Sequence, residues 1–172
     1  MEDLRLELER YIAENFVDEN LILQDLSKDD GPLDEAIKML GVLSAGAAAI
    51  NFSKLFDNAR SETFSEMIRR LIRESGKQNS EVYARANVTR QHFSKICKVN
   101  DYQPSKSTAI AFAIALNLDY KKTQALLASA GYTLTKSKLA DVIVMFFIER
   151  GIFDIDRLNQ CLYEYDQPTL ND

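Results

Sequence analysis

Tryptophan is absent, histidine occurs once and cysteine twice, and each scarcity removes a class of chemistry. His92 alone cannot build a histidine-rich metal set, and a Cys or Ser nucleophile would have no other imidazole to serve as its base. Cys97 and Cys161 stand far apart in apolar-patterned helical segments without a paired spacing, so they read as reduced, buried or half-buried thiols. The six glycines are scattered, which leaves no glycine-rich phosphate loop and no Gly-x-Ser-x-Gly elbow. Asp29-Asp30 and Asp34-Glu35 fall at a loop and a helix start, where capping and solubility account for them. The expectation is a non-enzymatic chain with no metal and no cofactor. Long apolar runs are also missing. Leu40 to Phe52 and Leu139 to Ile148 fall short of the roughly 20 residues that cross a bilayer, and read as buried helices. The opening MEDLRLELER is acidic and amphipathic, unlike a secretory signal, so a cytoplasmic location is expected.

What is present is a 172-residue chain with 46% hydrophobic residues, enough for one core-bearing domain with an appendage. Its net charge of -5 conceals a division. Residues 1–59 carry 5 basic and 13 acidic side chains, residues 60–98 carry 9 and 4, and residues 99–172 carry 7 and 9. A basic island in an acidic protein can neutralise nucleic-acid phosphates and release their counterions. It can equally solvate a helix face or dock an acidic partner.

Leu4, Leu8, Tyr11, Ile12 and Phe16 recur at steps of three and four, one face of a helix. Gly31-Pro32 is a break, and Asp34 and Glu35 suit the start of a second helix. Its middle, LSAGAAAI over 43–50, is small enough for close approach to a neighbouring helix in this chain or across a dimer. Asn51 to Ser61 reads as a helix end and connection. These regions make residues 1–60 an acidic interaction or dimerisation region, with Leu4, Leu8, Ile12, Phe16, Ala45, Gly46 and Ala49 as its candidate interface.

From residue 61 to 170 the punctuation is regular. Thr63 caps a helix with the stripe Phe64, Met67, Ile68, Leu71 and Ile72, ended by Ser75-Gly76. A short helix starts at Asn79 or Ser80. After Asn87-Val88-Thr89 comes RQHFSKICK, with Phe93 and Ile96 facing inward. Pro104-Ser105 opens a fourth helix whose centre, Ala109 to Leu116, is apolar enough to be fully buried. Asp119 caps a fifth, ending at Gly131. A long helix is expected over Thr135 to Arg150, stopped by Gly151, and a last one from Asp154 through Leu158, Leu162 and Tyr165.

Two short helices at a tight turn, one before and two after, give the helix order of a repressor head. Residues 63–131 resemble the Cro and phage-repressor (XRE-like) helix-turn-helix family, through VYARANVTRQHFSKI (82–96) and YQPSKSTAIAFAIAL (102–116). With the tail, residues 63–170 also resemble an uncharacterised helical module found at the C-terminus of assorted bacterial proteins. The resemblance implies an all-α fold: a five-helix lambda-repressor-like core, an N-terminal helical arm and a two-helix C-terminal extension. It implies a bacterial or phage regulator that binds DNA, with the helix from Thr89 to Lys98 entering the major groove. Arg90, Gln91 and Lys95 would face base edges. Asn79, Thr89 and His92 would lie near phosphates, and Arg69, Arg70 and Arg73 would extend that footprint or solvate the first helix. A blander reading makes His92 an exposed helix residue without a partner.

Two positions depart from the family pattern. Tyr83 stands where a small residue is usual, so the helices splay, the ring swings outward, or it packs on the N-terminal region. Asn87 replaces the usual turn Gly, a mild change because Asn tolerates left-handed backbone. Besides DNA binding, two rival functions fit the sequence: a protein-interaction or adaptor module on the same scaffold, and a phage-encoded inhibitor whose acidic helices mimic DNA.

Overall fold

The computed structural model describes residues 2–18, 62–99 and 101–170. Among these residues every regular element is a helix. They are α1 (Glu2–Asn15), α2 (Phe64–Ser75), α3 (Asn79–Arg85), α4 (Arg90–Lys98), α5 (Lys106–Ala115), α6 (Tyr120–Ser129), α7 (Leu139–Glu149) and α8 (Ile155–Glu164). None of the described helices is long and apolar enough to cross a membrane.

The boundaries follow from local chemistry. Thr63 and Glu66 form a reciprocal capping box at the start of α2. Thr89, Ser105, Asp119 and Asp154 each accept a backbone N–H as N-caps of α4, α5, α6 and α8. Gly76 and Gly151 end α2 and α7 in the left-handed region, with φ of 67° at both. Asn87 takes φ 52° in the connection between α3 and α4, a left-handed conformation that Asn tolerates better than most residues.

The core is built around two helices that the sequence marks by unbroken apolar runs. Residues 109–115 of α5 are all buried, and so are residues 141–148 of α7. α5 packs against α3, α6 and α8, while α7 packs against α1, α6 and α8, and α2 lies on α4 and α6. Phe93 and Ile96 are the buried residues of α4, as their spacing predicts.

Chain compactness groups Met1–Val17 with Glu62–Asp172 and leaves Asp18–Ser61 as a separate unit. The first helix is therefore part of the body formed by the later helices, not of an N-terminal region ending at residue 60. Leu8 is 1% exposed, and Leu4, Tyr11, Ile12 and Phe16 pack on the same core. Of the expected partner interface, Leu8 is therefore buried in its own chain, while Leu4, Ile12 and Phe16 are half-buried against the same core. Ala45, Gly46 and Ala49, with the small-residue helix expected around them, lie outside the described residues. Tyr11 anchors α1: its ring lies 5.4 Å from that of Phe146 and its hydroxyl donates to Glu149 at 2.9 Å.

The helix expected from Thr135 begins four residues later, at Leu139. Asp141 explains the delay. Its carboxylate, almost fully buried, accepts the Thr135 N–H at 2.9 Å, the Thr135 hydroxyl at 3.3 Å and the Lys106 ammonium at 2.7 Å. Those bonds hold Thr135 in a turn that a continuous helix would pull apart. The same irregular segment receives α1, because Val17 N–H donates to the Lys136 carbonyl at 2.9 Å.

Candidate nucleic-acid interface

Phe93 and Ile96 turn one side of α4 inward, and the helical repeat then fixes what the opposite side carries. Arg90, Gln91, Lys95 and Lys98 are exposed, with Ser94 half-buried beside them. No acidic residue occurs in α4. Three cations and a carboxamide thus share one outward surface, and within the described residues the side chains of Arg90, Gln91 and Lys98 make no hydrogen bond or ion pair. Ser94 and Lys98 were not singled out from sequence. Their signal was there, since they stand three and seven residues after Gln91.

Beside this face, α3 and α4 border an open groove in which Asn79, Ser80 and Tyr83 confront Arg90, Ser94 and Lys98. The Tyr83 ring lies 5.6 Å from that of Phe93, inclined by 47°, and is half-buried. It has swung to the groove wall, where it covers Phe93, and α3 and α4 remain in contact. An aromatic side chain is thereby accommodated between two helices that stay in contact.

The expected phosphate contacts divide. Asn79 is exposed at the first turn of α3 and Arg73 is exposed in the last turn of α2. The Thr89 hydroxyl accepts the His92 N–H at 3.2 Å, capping α4. Arg69 donates to the Cys97 carbonyl at 3.0 Å, closing the carboxyl end of α4 onto α2. Arg70 forks onto Glu62 at 2.8–3.2 Å and reaches Glu74 at 2.9 Å. These hydrogen bonds, that to Glu62 foremost, raise the guanidinium pKa above its ordinary value. Arg69 and Arg70 are therefore committed within the chain, and the basic count overstates the charge available to a ligand.

His92 is not the partnerless surface residue of the blander reading. Its Nε2 lies 2.6 Å from the Tyr102 hydroxyl, and the two rings meet edge to face at 5.8 Å. The contact was invisible in sequence because it joins a helix to a loop residue ten positions on. Lys77, also in the basic island, donates to the Ala115 carbonyl at 3.0 Å and so caps α5; burial lowers its pKa. Burial likewise raises the pKa of Cys97 and Cys161, which keeps both as thiols rather than reactive thiolates.

No family model, curated protein or solved structure matches the chain.

Proposed function

We propose that the chain is a non-enzymatic DNA-binding protein of the bacterial or phage regulator type, in which α2 to α6 serve as a five-helix repressor-like head and α4 enters the major groove. One observation carries the reading: α4 presents Arg90, Gln91, Lys95 and Lys98 outward on a rigidly seated helix that contains no acid. Arg can fork onto guanine O6 and N7, and Gln can pair with adenine N6 and N7. A helix 10–12 Å across fits a groove about 12 Å wide. Asn79 and Thr89, at the starts of α3 and α4, are placed to approach phosphates flanking such a helix. The left-handed Asn87 supplies the short turn that this arrangement needs.

Selection of duplexes from a random pool, followed by binding measurements, tests the reading. An enriched sequence is expected, and Gln91→Ala should reduce the preference for it over random duplex, with a base contact of this kind worth about 1–3 kcal/mol. Failure to enrich any sequence would refute base reading by α4.

The internal commitment of Arg69 and Arg70 favours a second reading, protein docking through the same face. It predicts no affinity for duplex at low salt.

A further inference from the structure

Lys95 and His92 stand one helical turn apart at the edge of the exposed face of α4, and both touch the same residue of the following loop. The Lys95 Nζ lies 5.7 Å from the centroid of the Tyr102 ring, within the range of a cation–π contact. The Tyr102 hydroxyl meets His92 Nε2 at 2.6 Å. Tyr102 is itself half-buried against the core, and its backbone N–H returns to the Val99 carbonyl at 3.2 Å, so the ring is a fixed platform.

Helical geometry says where this platform pulls Lys95. At about 100° per residue, Gln91 and Lys98 lie within about 20° of each other and define the crest of the outward face. Lys95 lies about 40° from Gln91 on the side of His92. Tyr102 draws its ammonium along that flank, away from the crest. In a helix that fills a major groove the crest meets base edges, while the flanks meet the two sugar–phosphate backbones.

Resting on the DNA-binding reading above, we infer that Tyr102 is a positioning residue that holds Lys95 as a phosphate anchor, leaving the reading of bases to the crest, Gln91 foremost. The ring's π-face attracts the ammonium without using any of its three N–H donors, which remain available to a phosphate oxygen. A lysine restricted to one flank also loses less freedom on binding than one that samples the whole surface. The chemical consequence is a contact that strengthens binding to all sequences alike.

The experiment uses the full chain and two duplexes, one enriched from a random pool and one of scrambled sequence, titrated over a salt series. Lys95→Met is expected to weaken both by the same factor, about threefold to tenfold, and to reduce the slope of log affinity against log salt by about 0.9. Tyr102→Leu is expected to weaken both duplexes in the parent chain and to have no further effect in the Lys95→Met background. Tyr102→Phe keeps the ring and is expected to bind within about twofold of the parent. A loss confined to the enriched duplex in Lys95→Met would make Lys95 a base reader and overturn the inference. So would a Tyr102→Leu effect that persists undiminished without Lys95, since the tyrosine would then act through the fold. If the parent chain binds neither duplex at low salt, the DNA-binding reading itself fails, and the inference with it.

Discussion

Replacing Asp141 by Ala isolates a polar interaction that the sequence gives no reason to expect inside the most apolar helix of the chain. The Asp141 side chain is 5% exposed and that of Lys106 26%, at a separation of 2.7 Å. Breaking a fully buried ion pair costs about 3–5 kcal/mol, because the surviving charge is left without a partner. Partial exposure of Lys106 lets its ammonium regain water, which places the charge penalty at the low end of that range. Loss of the acceptor for the Thr135 N–H adds to it, moderated by the half-exposure of Thr135. About 3 kcal/mol is a reasonable total. For a chain of this size each kcal/mol lowers Tm by about 2–4 °C, so thermal unfolding followed by circular dichroism should move down by roughly 6–12 °C. Asp141→Asn keeps an acceptor for Thr135 and should lose less. Replacing both Asp141 and Lys106 by apolar residues should recover much of the loss, since no charge is then stranded. Because Lys136 lies in the segment that Asp141 holds, the Val17 amide should exchange hydrogen faster in Asp141→Ala. A Tm within about 2 °C of the parent would refute the assignment of Asp141 as the residue that sets the start of α7.

Leu8→Ala empties a site that is 1% exposed and should cost about 2–5 kcal/mol in denaturant unfolding; a cost below 1 kcal/mol would detach α1 from the core. Asn87→Gly should leave stability nearly unchanged, whereas Asn87→Val, forced to a φ of 52°, should lose about 1–2 kcal/mol in the same assay. Burial and the Glu149 contact raise the Tyr11 pKa above 10.0, so the protonated phenol favours the folded state. That contribution is complete below the ordinary tyrosine pKa and disappears as pH climbs through the folded value, so Tyr11→Phe should show a shallower alkaline loss of stability than the parent.

Much of this fold was written locally. Thr63, Thr89, Ser105, Asp119 and Asp154 cap helices where a side chain beside an apolar stripe says they should, and Gly76 and Gly151 end them. Phe93 and Ile96 fixed the inward side of α4 by spacing alone, and with it the outward placement of Arg90, Gln91 and Lys95. What could not be read depends on contacts between distant residues. The Asp141–Lys106 pair, the Arg69–Cys97 closure and the His92–Tyr102 bond each join separate elements, and no local pattern encodes them. The amphipathic face of α1 was legible, but periodicity identifies an apolar face without naming what covers it. In this molecule that cover is its own core. Tyr83 illustrates the converse: volume alone suggested conflict with α4, while the available direction of its ring removed it.

The account turns on whether the outward face of α4 takes up duplex DNA. Fluorescence anisotropy of a labelled duplex, titrated with the full chain from about 50 to 200 mM salt, addresses this directly. Affinity should fall steeply and linearly in log–log form, and replacing Arg90 and Lys95 together by Ala should weaken binding and flatten that slope by about 0.9, the share of the phosphate-bound Lys95. Undetectable binding at the lowest salt, or binding that Arg90→Ala/Lys95→Ala leaves unaltered, would contradict it.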